Sequence, residues 1–166
     1  MNLKSTKGLV LVLFLTAVVI LLSVCDVVII CTAPWWLHTL YKSDFAGLRI
    51  MLGYNYSMTG VIYPLMLTFF IISGLLCLGI LAAAFRILNR IRQNNAFCVG
   101  NAISLRNAAA CSLGLFIIFM SKMFFSPSIL TLVCGGMFLL FALFVMVMSQ
   151  LVRAAAQIKE ENDLTI

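Results

Sequence analysis

The sequence predicts an all-α integral membrane protein with four transmembrane helices and both termini in the cytoplasm. Three observations predict it. The 166 residues are 64% hydrophobic and only 10% charged, with a mean hydropathy of +1.16, whereas soluble domains are about half apolar and roughly one quarter charged. The apolar residues form four runs, each long enough for a bilayer core that takes roughly 20 residues per helical crossing. Lys and Arg concentrate in alternate connections. The length accommodates four crossings with short links, so residues 1–166 form a single membrane domain.

The first span runs from about Gly8 to Thr32, "GLVLVLFLTAVVILLSVCDVVIICT", behind Lys4 and Lys7. This start imitates a signal peptide, and "LSVC" at Leu22 to Cys25 imitates a lipoprotein cleavage site. The apolar run outlasts the roughly 7–15 residues of a signal h-region, and Val24 is bulky where a small residue precedes a cut. An uncleaved helix is therefore expected. An outer loop, residues 33–57, leads to the second span at about Met58 to Phe85. A cytoplasmic loop over residues 86–107 leads to the third span at about Ala108 to Phe125. "SPS" around Pro127 makes a tight turn into the fourth span, about Ile129 to Val152, and residues 153–166 form a cytoplasmic tail. Helices satisfy their own backbone in lipid, and the runs lack the alternation of barrel strands.

Orientation follows from charge. Lys4, Lys7, Arg86, Arg90, Arg92, Arg106, Arg153 and Lys159 fall on one side, and Lys42, Arg49 and Lys122 on the other, eight against three. The positive-inside rule places the first group in the cytoplasm of a bacterial plasma membrane. The formal charge of +6 does not point to direct nucleic-acid binding, because the basic residues sit at the ends of apolar runs and no groove-reading module is present. Topology anchoring and contact with anionic lipid headgroups account for them.

Trp35, Trp36, Tyr41, Tyr54, Tyr56 and Tyr63 all lie on the outer side. They suit an interfacial aromatic belt or a cap over a pocket between the helices. His38, the single histidine, has no nucleophile or carboxylate constellation beside it. "NYS" at Asn55 to Ser57 fits a glycosylation pattern that recurs by chance. The six cysteines, at 25, 31, 77, 98, 111 and 134, show no CxxC pair and no zinc spacing. Five of them lie in apolar segments and read as small hydrophobes.

Two charges enter the spans, Asp26 in the outer half of the first and Lys122 near the outer end of the third. Each costs roughly 2.5–3.5 kcal/mol at a helix centre and less toward the interface. Both spans run outward, so the two charges reach similar depths. Pairing and separate accommodation, with Lys122 snorkelling to water, are both open. Ala110 with Gly114, and Gly135 with Gly136, mark faces where helices approach closely. Homo-oligomerisation and packing within one bundle use this same signal.

On the cytoplasmic side, "RILNRIRQNNAFCVGNAISLR" and the ending "KEENDLTI" carry a resemblance. They are similar to a bacterial family of small four-span membrane proteins, domain of unknown function 2975. Ile91, Phe97, Asn101, Leu105 and Arg106 fall at the family's loop positions, and the resemblance is carried by the second half of the chain. This sequence departs from the pattern around Phe97, where Asn94, Asn95 and Ala96 precede it and Cys98, Val99 and Gly100 follow. The side-chain cap and nearby acid of the family's short loop helix are thus missing. The resemblance implies a non-enzymatic membrane component, often encoded beside a small helix-turn-helix regulator.

No paired cytoplasmic carboxylates, nucleophile triad, metal set or phosphate-cradling loop appears, so catalysis and a cofactor are not expected. The leading expectation is a membrane scaffold or regulatory partner for a cytoplasmic protein. Its surface would combine Arg86, Arg90, Arg92 and Arg106 with Lys159, Glu160, Glu161 and Asp163. Leu164 to Ile166 would add as a strand to a partner's sheet edge. The alternative is a small transporter or ligand-sensing subunit, supported by Asp26 alone.

Overall fold

A computed structural model describes residues 6–42, 59–93, 98–125 and 127–164. They form four helices: α1 (Thr6–Lys42), α2 (Thr59–Arg92), α3 (Val99–Phe125) and α4 (Ile129–Leu164). All four are long and apolar enough to cross a membrane. Ser128 opens α4 by accepting the Leu132 amide at 3.2 Å, as an N-cap residue does.

The helices run further than the apolar stretches. α1 continues past Thr32 and through Pro34, taking Trp35, Trp36 and His38 out of the expected outer loop and onto its last turns. One missing ladder bond at a proline costs less in apolar surroundings than unwinding a whole turn would. α2 persists to Arg92 and α3 begins at Val99, which shrinks the expected loop 86–107 to residues 93–98. Arg and Leu are good helix formers, and cations favour a helix C-terminus. Arg86, Arg90 and Arg92 therefore ride on α2, and Asn101, Leu105 and Arg106 on α3.

α4 likewise passes Val152 and reaches Leu164, because "RAAAQIKEE" is rich in strong helix formers. Leu164 is the last helical residue of α4, and the rest of the extended strand expected for Leu164 to Ile166 lies outside the described residues. Phe97, Tyr54, Tyr56 and Ile166 lie outside the described residues, as do the side chains of Tyr41, Tyr63 and Asp163.

Contact pairs fix an up-and-down order. Ile30 meets Gly74 and Trp36 meets Phe70, so α2 descends along α1. Gly79 faces Cys111, and Ser112 reaches Phe138, so α3 and α4 alternate in turn. Lys7, Arg86 to Arg92, Arg106, Arg153 and Lys159 consequently gather at one end of the bundle. Among the described residues, extensive contact joins only chain neighbours: α1 with α2, α2 with α3, and α3 with α4.

The outer surface is apolar. Phe14 and Leu21 on α1 and Met137 and Leu140 on α4 are each more than 60% exposed, as lipid-facing side chains should be. The buried centre is small: Ala83, Ala108, Ala109 and Val145 pack with Leu105 near the basic end. Close helix approach depends on glycine most tightly at two places. A Cβ on Gly74 would stand 2.6 Å from Ile30 Cδ1, and one on Gly135 would stand 2.6 Å from Met120 Cε and 3.4 Å from Phe119 Cβ. Gly136 has nothing within 4 Å of its missing Cβ, so only the first of the paired glycines serves the bundle.

Candidate functional site

Two constellations stand out, one at the basic end and one midway along the helices. At the basic end, Arg90 Nη1 donates to Ser104 Oγ at 3.1 Å and to Asn101 Oδ1 at 3.4 Å. Ser104 passes its own proton to the Gly100 carbonyl at 3.0 Å. Asn101 and Ser104 are buried, so one arginine of the cationic segment is spent tying α2 to α3. A Cβ on Gly100 would meet the Arg90 guanidinium at 2.9 Å, which explains a small residue there. Two hydroxyls then join α3 to α4: Ser149 donates to the Ala102 carbonyl and Ser112 to the Phe138 carbonyl, each at 2.8 Å.

Arg86, Arg92 and Arg106 are exposed at this end, as are Lys159, Glu160 and Glu161 on the α4 extension. The arginine segment thus divides into one internal clamp and three residues turned outward.

Midway along the bundle lies a cavity of about 150 Å³. α1 lines it with Asp26, Ile30 and Ala33, and α2 with Phe70, Ser73 and Cys77. α3 contributes Leu115 and Phe119 to its wall and α4 Phe138. Asp26 Oδ2 is buried and has no hydrogen-bond partner. The hydroxyl of Ser73 is bonded along its own helix, to the carbonyls of Phe69 at 2.7 Å and Phe70 at 3.1 Å.

An aromatic run crosses the same level. Trp36 packs edge-on against Phe70 at 5.2 Å, Phe70 against Phe69 at 5.6 Å, Phe69 against Phe119 at 5.2 Å and Phe119 against Phe138 at 5.4 Å. Trp36 is therefore built into the bundle, whereas Trp35 is 75% exposed and suits the membrane interface. Lys122 sits over the Phe69 ring, 5.2 Å from its centroid, and donates to Thr131 Oγ1 at 3.5 Å. Asp26 and Lys122 do not pair. Lys122 rests on a ring and a hydroxyl and Asp26 stands at the cavity, an arrangement that neither pairing nor a Lys122 snorkelling to water describes.

Sequence reasoning missed Ser73, Cys77, Ser104, Ser112 and Ser149. A hydroxyl inside an apolar run is a signal, because it must find an acceptor there. The signal is ambiguous, since Thr16, Thr32 and Thr68 satisfy themselves on their own helices. Among the described residues no three His, Cys, Asp or Glu side chains are grouped as metal ligands, and all six cysteines are free.

A family model described as protein of unknown function (DUF2975) matches residues 43–166. The chain belongs to this family. DUF2975 covers α2, α3 and α4, and so reaches further toward the N-terminus than the arginine segment and tail that first carried the resemblance. The clamp of Arg90, Asn101 and Ser104 lies within the DUF2975 match, whereas α1, with Asp26, lies outside it. No curated protein and no solved structure matches the chain.

Proposed function

We propose that this chain is a non-enzymatic, multi-pass protein of the bacterial plasma membrane. In this reading both termini and the arginine end are cytoplasmic, and the protein scaffolds or restrains a cytoplasmic protein such as a small helix-turn-helix regulator. The observation that carries this is the length of α4. Its 36 residues exceed the roughly 20 that cross a bilayer core, leaving about 15 residues, or about 22 Å of helix, beyond it. Ala156 is still buried, but Gln157, Ile158, Lys159, Glu160 and Glu161 are exposed. An apolar Ile158, 59% exposed, among charged neighbours on a rigid rod is the kind of anchor that a partner groove takes up. Exposed Arg86, Arg92 and Arg106 at the same end supply a cationic rim for anionic headgroups or an acidic partner surface.

A photo-crosslinking residue placed at Ile158 in the full-length protein, in cells, tests this. A discrete adduct with a soluble protein is expected at Ile158, lost on deleting residues 159–166, and absent at lipid-facing Phe14. Identical adduct patterns at both positions would refute the partner reading. A ligand-sensing or transport role is the second reading, and the cavity at Asp26 is the observation in its favour.

A further inference from the structure

We infer that the cavity between the four helices is a binding site for a small organic ammonium ion with an apolar body, held by Asp26. This goes beyond the partner reading and stands or falls without it. The first argument is the carboxylate. Asp26 Oδ2 is buried without a partner, and an ionised carboxylate left unpaired in apolar surroundings costs several kcal/mol. It therefore takes up a positive charge, either a proton or a cation.

The remaining lining decides which cation fits. Ser73 spends its proton on the Phe69 and Phe70 carbonyls, so it faces a ligand as an acceptor. Apart from the weakly donating Cys77 thiol and the Ser73 hydroxyl already engaged on its own helix, the side chains lining the cavity carry no donor. Acceptors without donors select an N–H-bearing cation and reject anions. Two side chains bearing oxygen, Asp26 and Ser73, make a poor shell for a bare inorganic ion, since hard cations such as calcium take about six to eight oxygens.

Size and wall chemistry point to the ligand's body. A cavity of about 150 Å³ is the volume that holds one benzene ring in an apolar protein interior. Phe70, Phe119 and Phe138 line it, and aromatic faces attract both an apolar ring and an ammonium group. Among the described residues α1 makes extensive contact with α2 alone, so the side between α1 and the α3–α4 pair is the approach assigned to an amine dissolved in the bilayer.

Benzylamine, its neutral isostere benzyl alcohol, and sodium chloride are the probes, titrated into full-length protein in nanodiscs. Trp36 rests on Phe70, so intrinsic fluorescence reports occupancy, and calorimetry gives the affinity. Benzylamine is expected to bind saturably, with benzyl alcohol and Asp26→Asn each weaker by roughly 10- to 100-fold, the range of a charge-assisted hydrogen bond. Sodium chloride at equal ionic strength should not displace it. Ser73→Ala should weaken benzylamine by roughly fivefold and leave benzyl alcohol unchanged. No saturable benzylamine binding, equal affinity for the alcohol, or displacement by sodium would each overturn the inference. If Asp26→Asn fails to give monodisperse protein, the amine-to-alcohol ratio on the native chain and Ser73→Ala still decide it.

Discussion

The α3–α4 pair and α1 solve the same problem, a helix in an apolar solvent, in opposite ways. α3 and α4 pack together from the Lys122–Thr131 contact to the Ala102–Ser149 contact and share interhelical hydroxyl bonds from Ser112 and from Ser149. Among the described residues, the buried polar ones, Asn101, Ser104, Ser112, Thr131 and Ser149, all belong to this pair. Among the described residues α1 makes extensive contact with α2 alone, carries most of its apolar side chains outward, and satisfies Thr16, Ser23 and Thr32 within its own turns. Lipid is as apolar as leucine, so exposure gives no drive to pack a helix. Interhelical hydroxyl bonds and close backbone approach do, and α3–α4 has both. The loosely held helix is also the one that brings a charge into the centre.

The largest test of this contrast uses neighbouring glycines on α4. Gly135→Leu should cost about 1–3 kcal/mol by overpacking. Met120 can swing from a methyl group, but Phe119 Cβ at 3.4 Å blocks a branched side chain. Gly136→Leu, with open space around it, should be neutral or stabilising by up to about 1 kcal/mol through helix propensity. Thermal unfolding followed by thiol labelling of the half-buried Cys77, Cys111 and Cys134 reads both. Equal melting shifts would mean that α4 does not use Gly135 to approach α3.

The second test concerns the join between α2 and the hairpin. Arg90→Ala should lower stability by about 1–2 kcal/mol, since two buried acceptors lose a cationic donor. Arg90→Lys should recover part of that, because both bonds leave the single Nη1 nitrogen and an ammonium likewise carries several donors on one nitrogen, though on a shorter, differently shaped side chain. Arg106→Ala, on an exposed side chain at the same end, should stay within about 0.5 kcal/mol. Similar losses at Arg90 and Arg106 would return the whole segment to a general role in topology.

That division among arginines was not legible in the sequence. Four apolar runs and the family were, because composition and loop chemistry are local properties of the chain. The ends of the helices were not, because hydropathy marks where lipid begins, whereas the backbone ladder continues through Pro34 and "RAAAQIKEE" under its own propensity. Asp26 was singled out as a costly charge, and its setting was invisible, since Ser73, Cys77, Phe119 and Phe138 meet it only through packing of four helices. The question of pairing with Lys122 turned on where Phe69 and Thr131 stand, which no spacing along one helix reveals.

The smallest expected effect isolates what holds the hairpin. Ser149→Ala removes the bond to the Ala102 carbonyl. Ser23→Ala removes one that runs back to Ile20 on α1 itself, at 2.8 Å. Both changes gain the same few tenths of a kcal/mol in helix propensity, so their difference reports the interhelical bond alone. Membrane hydrogen bonds of this kind average about 0.6 kcal/mol and reach about 1.7. Ser149 belongs near the average, because the Ala102 carbonyl keeps its place in the α3 ladder when the hydroxyl leaves and no buried acceptor is stranded. A difference near zero between the two variants would shift the hold of α4 on α3 from hydroxyls to shape, with Gly135 taking the part that Gly74 takes between α1 and α2.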